Sequence, residues 1–244
     1  MQKYGYNDSM KKILNMRDLK LIAYVTMLID HIGAVLVEEI MTSPRAYGVT
    51  LNANVIYNIY FALRLIGRFA FPIFAFSIYE GFNKTRDVKK YMLRLFLFAI
   101  ISEIPFDLAI RGSLFDWSYQ NVIWTFLFAL MGLYIYEKYE NLLIKIFAIG
   151  GTLALGELFH TDYGSYGVAM IYVFYFLKDN ETLKNVLLAG LLMMQMAILA
   201  LIPLNMYNGE KGMKSGRILY YFYPGHLLIL YFILLAMRQY FKLL

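Results

Sequence analysis

The chain has 244 residues, 60% of them hydrophobic, and a formal net charge of +6. Soluble domains are about 45–50% apolar; here long apolar runs replace amphipathic periodicity, which points to membrane helices and away from a soluble fold. Cysteine is absent, which excludes disulfides, thiolate nucleophiles, cysteine metal sites and acyl transfer through a cysteine.

Met1 to Asn15 is polar and carries Lys3, Lys11 and Lys12. The apolar run behind it is too long for a signal peptide and contains two charged or titratable residues, so it reads as a retained first helix. That helix is Met16 to Val37, about one bilayer thickness. Arg17, Asp18 and Lys20 sit at its start, Asp30 and His31 towards its far end. A charge at the centre of a spanning helix costs about 2.5–3.5 kcal/mol on insertion scales, so such residues face protein or a wet cavity. Ten residues separate Lys20 from His31. Eleven steps of about 100° return to nearly the same face, about 16 Å further along. A cation at one boundary thus lines up with an imidazole nearer the other.

Glu38 to Asn54 contains Pro44 and Gly48 and reads as a loop. Val55 to Phe82 is the second helix, with Arg64, Arg68, Pro72 and Glu80; Pro72 is expected to kink it. After a short turn, the third helix runs from Val88 to Ile110. It begins with Lys89, Lys90 and Arg94 and carries Glu103 and Asp107 around Pro105. Further helices are read at Asn121 to Tyr139 and Leu142 to Phe159. The sixth is Val168 to Leu177, short enough that it could begin inside the preceding turn. Leu183 to Leu201 is the seventh and Pro224 to Met237 the eighth. His160 to Gly167 is a polar turn, and Pro203 to Tyr223 a loop with Lys211, Lys214 and Arg217.

The expected architecture is therefore all-α: one domain over residues 1–244, a polytopic bundle of about eight transmembrane helices. An even count puts both termini on one side. Most loop lysines then share that side, which makes it cytoplasmic in a multi-pass cell-membrane protein. Lys211, Lys214 and Arg217 run against the rule. No basic stripe interleaved with aromatics appears, so nucleic acid is not an expected partner; membrane lipid is.

His31 is the sharpest chemical signal. A neutral imidazole can take a proton from an attacking hydroxyl or amine. Neighbours on a helix point about 100° apart, so the group that orients the ring is Asp30, Glu103 or Asp107. Arg64 and Arg68 need anions, either ligand phosphates or internal carboxylates. Glu103 and Asp107 are either an acid–base pair or the charge balance for those arginines. His160, Asp162 and His226 are candidate substrate-binding groups near the outer boundary. No local spacing of metal ligands is present, and no metal is expected. The run Tyr220 to Tyr223 reads as part of an interfacial aromatic belt.

Four segments carry a family resemblance: MLIDHIG (Met27 to Gly33), LRLIGRFAFPIFAFSIYEGFNKTRDVKKYMLRLF (Leu63 to Phe96), SEIPFDLA (Ser102 to Ala109) and YYFYPGHLL (Tyr220 to Leu228). In that order they resemble the TraX family of membrane proteins, whose namesake is linked to N-acetylation of conjugative pilin. The resemblance implies an acyltransferase that uses acetyl-CoA. Membrane acyltransferases of the acyltransferase-three type are a second likeness: they carry Arg or Lys, ten residues, then His, as Lys20 and His31 do. Their two arginines are separated by two residues, whereas Arg64 and Arg68 are separated by three. Together these likenesses imply His31 as general base, and Lys20, Arg64, Arg68, Lys89 and Lys90 around an acyl-CoA donor. The acceptor would be extracytoplasmic: a glycan, a peptide or a lipid-linked group. A proton-coupled transporter using Asp30, His31, Glu103 and Asp107 as a relay is the competing expectation, against which the lack of an internal repeat counts.

Overall fold

The computed structural model describes residues 11–213 and 218–242, without the side chains of residues 218–220. Lys3, Lys214 and Arg217 lie outside the described residues, as does the side chain of Tyr220. All regular elements among the described residues are helical. They are α1 (Met16–Ile32), α2 (Glu38–Thr42), α3 (Ala53–Gly67), α4 (Ala70–Lys84), α5 (Val88–Ile110), α6 (Val122–Lys138), α7 (Leu142–Leu158), α8 (Gly164–Phe176), α9 (Glu181–Met194), α10 (Leu201–Asn205) and α11 (Ile218–Tyr240).

Asparagine starts many of them. The side chains of Asn15, Asn52, Asn121, Asn141 and Asn180 accept backbone N–H groups of α1, α3, α6, α7 and α9, satisfying donors that a helix N-terminus leaves open. At α1 the cap is reciprocal, because Asp18 accepts the Asn15 N–H at 3.2 Å. A π-helical turn over Gly33–Val37 joins α1 to α2, so the first rod continues to Thr42. The expected loop from Glu38 is thus helical for its first turn. The second rod breaks at Arg68 and Phe69, upstream of Pro72. Proline then sits in the first turn of α4, where its missing N–H removes no helical bond.

Among the described residues, three rods are long and apolar enough to cross a membrane: Met16–Thr42, Ala53–Lys84 and Tyr221–Tyr240, of 27, 32 and 20 residues. The helices close into a ring in the order α1, α4, α8, α6, α5 and α11, which returns to α1. Outside this ring, α3 leans on α1, α7 on α6 and α8, and α9 on α8. The core is largely the inward side of α4, α6 and α8, including Ile73, Leu130, Leu133, Met170, Ile171 and Phe174.

Two expectations change here. The segment expected as a seventh spanning helix is a hairpin. α9 ends at Met194, Met196 adopts φ +55°, and the chain turns back through residues 198–205. Asn185 bonds Asn205 at 3.2 Å and ties the legs together near their base. The loop that follows returns to the start of α1. Leu14 N–H donates to Met206 at 2.9 Å, Met16 N–H to Glu210 at 2.9 Å, and Asn208 N–H to Leu14 at 2.8 Å. Gly212, at φ +70°, lies so close to Asn15 that any Cβ would overlap its amide. Lys211 therefore belongs to the end of the bundle where α1 begins, against expectation. Downstream, the segment expected to be loop up to Tyr223 is already helical from Ile218.

The second change follows from the first. α11 runs parallel to the first rod. Tyr24 packs on Phe222, His31 meets His226, and Arg238 forms a two-point ion pair with Glu39 at 2.8 and 2.9 Å. Residues 11–15 and 238–242 consequently lie at opposite ends of the bundle, not at the same end. The hairpin accounts for it: one segment counted as a crossing enters and leaves by the same end.

Candidate functional site

A narrow cavity of about 40 Å³ opens inside the ring. α1 contributes Met27, Asp30 and His31, and the α3–α4 junction contributes Gly67, Ala70, Phe71 and Phe74. Val122 and Phe126 come from α6, Asp162 and Tyr163 from the α7–α8 turn, and Tyr223 from α11. Apolar and aromatic walls around a few polar groups are the usual build of a small-molecule site.

The α3–α4 break shapes one wall. A Cβ on Gly67 would overlap the Asp30 carboxyl, so only glycine lets the two rods touch there. Asp30 in turn accepts from Arg64 at 2.7 Å. Arg68 donates to the carbonyl of Gln195 at 2.7 Å, at the tip of the α9–α10 hairpin. A guanidinium there compensates the negative end of α9. The two arginines thus have internal partners in a carboxylate and a helix end.

The α7–α8 turn forms the opposite wall. His160 and Tyr163 both adopt positive φ, 48° and 67°. Backbone bonds to the start of α6 hold the turn: Gln120 N–H donates to His160 at 3.1 Å and Asp162 N–H to Gln120 at 2.8 Å. Thr125 donates to the Asp162 carbonyl. Tyr119 donates its hydroxyl to the Asp162 carboxylate at 2.6 Å. Burial pushes the Asp162 carboxyl above the usual carboxylate range, opposed by the Tyr119 hydrogen bond. Tyr163 stacks on Phe71 with ring centroids 3.7 Å apart.

His31 meets His226 across the α1–α11 contact. Its Nδ1 lies 2.6 Å from His226 Nε2, and the rings stack at 4.9 Å. His226 Nδ1 lies 2.7 Å from the Phe222 carbonyl oxygen. The ring partner of His31 is therefore an imidazole, not one of the carboxylates expected for it. Glu103 holds α6 instead, accepting from Asn121 N–H at 3.1 Å, Asn121 Nδ2 at 2.6 Å and Trp124 Nε1 at 2.7 Å. Asp107 accepts the Asp116 N–H at 2.9 Å and shapes the α5–α6 loop. Neither carboxylate bonds Arg64 or Arg68 among the described residues.

The remaining expected site residues divide by place. His160 is exposed and outside the cavity. Lys20 lies on α1, partly buried, towards the end where Lys211 and the exposed Lys89 and Lys90 lie. Among the described residues Lys20 has no hydrogen bond or ion pair, while Lys90 pairs with Asp87 at 3.3 Å. No cluster of three His, Asp or Glu side chains is placed to hold a metal ion among the described residues. Tyr223, expected in an interfacial belt, is buried against the cavity, whereas Tyr221 faces outward. Phe71, Phe74, Phe126, Tyr119 and Tyr163 had no sequence signal beyond being aromatic.

Comparison with known proteins matches the model of the family described as "TraX protein" to residues 15–234. A curated relative, "Probable fimbrial assembly protein FimC, serogroup H1" of Dichelobacter nodosus, is 29% identical over 243 residues, covering 87% of this chain and 92% of that protein. No solved structure matches the chain.

Proposed function

The chain belongs to the TraX family, and from that premise we propose that it is a membrane-embedded acetyltransferase using acetyl-CoA. The observation that carries the reading is an imidazole, His31, in the wall of a cavity that opens to solvent, about 16 Å along one helix face from Lys20, which has no ion-pair partner among the described residues. In the proposed reaction, His31 takes a proton from the acceptor N–H or O–H as that atom attacks the thioester carbonyl. The tetrahedral adduct collapses, the carbon–sulfur bond breaks, and the imidazolium returns the proton to the departing thiolate. The products are acetylated acceptor and CoA.

We place the donor at the end where α1 begins. Lys11, Lys12, Lys84, Lys138 and Lys178 share that end with Lys20, Lys89, Lys90 and Lys211, which suits a polyanion. By the positive-inside rule it is also the cytoplasmic end. Arg45, Arg111, Arg238 and Lys242 fall at the other. The proposed topology has seven crossings and one hairpin, with residues 11–15 cytoplasmic and 238–242 outside. Lys211 then obeys the charge rule that an eight-crossing count made it break. The acceptor enters from outside, and the name of the Dichelobacter relative suggests a surface-appendage component.

The test is transfer or exchange of labelled acetyl from acetyl-CoA by purified protein in detergent. The parent should be active, and His31→Ala should lose about 10²–10⁴ of the rate, as general-base removal does, while eluting as a folded species. A parent with no exchange, hydrolysis or transfer would overturn the reading. Active His31→Ala would remove His31 from it.

A further inference from the structure

We infer that His226 is a positioning residue that fixes the tautomer of His31 and leaves His31 Nε2 as the basic atom of the site. The tautomeric part rests on geometry alone; the catalytic part rests on the acyl-transfer reading above. The direction of the hydrogen bonds is set at Phe222. Its carbonyl oxygen can only accept, so the nitrogen 2.7 Å away, His226 Nδ1, carries a hydrogen. A neutral imidazole has one N–H, so His226 Nε2 is bare. His31 Nδ1 lies 2.6 Å from that bare nitrogen and must donate to it. The single N–H of a neutral His31 is thereby used. Its Nε2 carries a free lone pair and has no hydrogen-bond partner among the described residues, while the ring lines the cavity.

Neutrality of both rings follows from their surroundings. His226 is buried, and no carboxylate bonds either ring among the described residues. Asp30 is engaged by Arg64, Asp162 by Tyr119 and Glu103 by Asn121 and Trp124. An ion held between helices without a counter-ion is costly. An imidazole in the place of an orienting carboxylate fixes the ring without bringing a charge into the bundle. The chain of direction is fixed by the backbone: carbonyl, His226, His31, lone pair. Asp30 is then not a partner of the base, although it is the adjacent residue. Its task is with Arg64 and the Gly67 contact.

The experiment uses full-length protein in detergent with ¹⁵N-labelled histidine. His160→Gln removes the one exposed imidazole and leaves two to observe. Both should be Nδ1–H tautomers with bare Nε2. In His226→Ala, His31 should leave that fixed form. His226→Gln supplies an amide oxygen as acceptor and should keep it. In acetyl transfer, His226→Ala should lose about 10²-fold in kcat, with KM for acetyl-CoA changed only a few-fold, and His226→Gln should recover part of the loss. An Nε2–H tautomer for His31 in the parent would overturn the inference, even if His226→Ala fails to fold. So would full activity in His226→Ala. The expected tautomers in a protein without acetyl transfer would sustain the geometry and remove the enzymatic reading instead.

Discussion

The direction of α11 can be tested with single cysteines, because the chain has none of its own. Three variants suffice: Lys12→Cys, Lys211→Cys and Lys242→Cys. α9 ends at Met194 after 14 residues. Its continuation turns back at residues 195–197, and α10 adds five residues, about 8 Å, in the return leg. The pair cannot cross as one span. α11, at 23 residues, rises about 35 Å and can. A membrane-impermeant maleimide applied to intact cells should label position 242 and spare positions 12 and 211. All three should label once the membrane is opened. Eight crossings would instead put 12 and 242 together on the protected side and 211 outside. Labelling of 211 but not 242 in intact cells would refute the hairpin, and with it the parallel course of α1 and α11.

Other consequences follow from individual contacts. Gly67→Ala should destabilise the protein by about 1–3 kcal/mol, the usual cost of overpacking, since its Cβ overlaps Asp30; an unchanged melting temperature in detergent would count against the wall described. Arg68→Ala should loosen the hairpin tip. A charged hydrogen bond contributes about 1.5–3 kcal/mol, so a cysteine in Met196→Cys should react at least about tenfold faster in that background, and equal rates would refute the contact. Asp116 is held down to about 2 by Ser118 and Arg111. Its contribution to the α5–α6 loop should therefore be complete above the unfolded carboxylate value of about 3.9. It should be lost as pH falls through about 2. The Ser118 amide resonance should titrate with a midpoint near that value, and a midpoint near the unfolded value would refute it.

Much of the fold is legible in the residues because helix starts have local causes. The third helix is read at its observed bounds, Val88–Ile110, because Asp87 caps it and a polar turn precedes it. α6 and α7 are read within a residue or two, again at asparagines. The misreading of residues 183–223 has a different origin. Hydropathy reports that Leu183 to Leu201 avoids water; it does not report direction. The reversal depends on one residue, Met196, at positive φ, and on an arginine 127 residues away that holds the turn. Neither leaves a mark in the local pattern. One mark is present in the sequence: Lys211, Lys214 and Arg217 run against the charge rule under an eight-helix count, and the structure places Lys211 at the end where α1 begins.

The site shows the same division. His31 stands out because a titratable group inside an apolar helix must have somewhere to go, and the cavity is where it goes. Its partner does not follow from that logic. Charge complementarity points an imidazole at a carboxylate, and three were available: Asp30, Glu103 and Asp107. Each is engaged elsewhere, by Arg64, by the cap of α6, and by the loop at Asp116. The sequence cannot show those prior engagements, since they join elements far apart along the chain. What pairs with His31 is the residue that parallel packing of α1 and α11 sets at its height. An eight-crossing bundle would have run α11 antiparallel to α1. In that arrangement Glu39 and Arg238 would lie a bundle length apart. The ion pair at 2.8 Å and the imidazole contact at 2.6 Å are two readings of one fact, the direction of the last helix. The reversal at residues 195–205 therefore sets both the direction of α11 and the identity of the ring that meets His31.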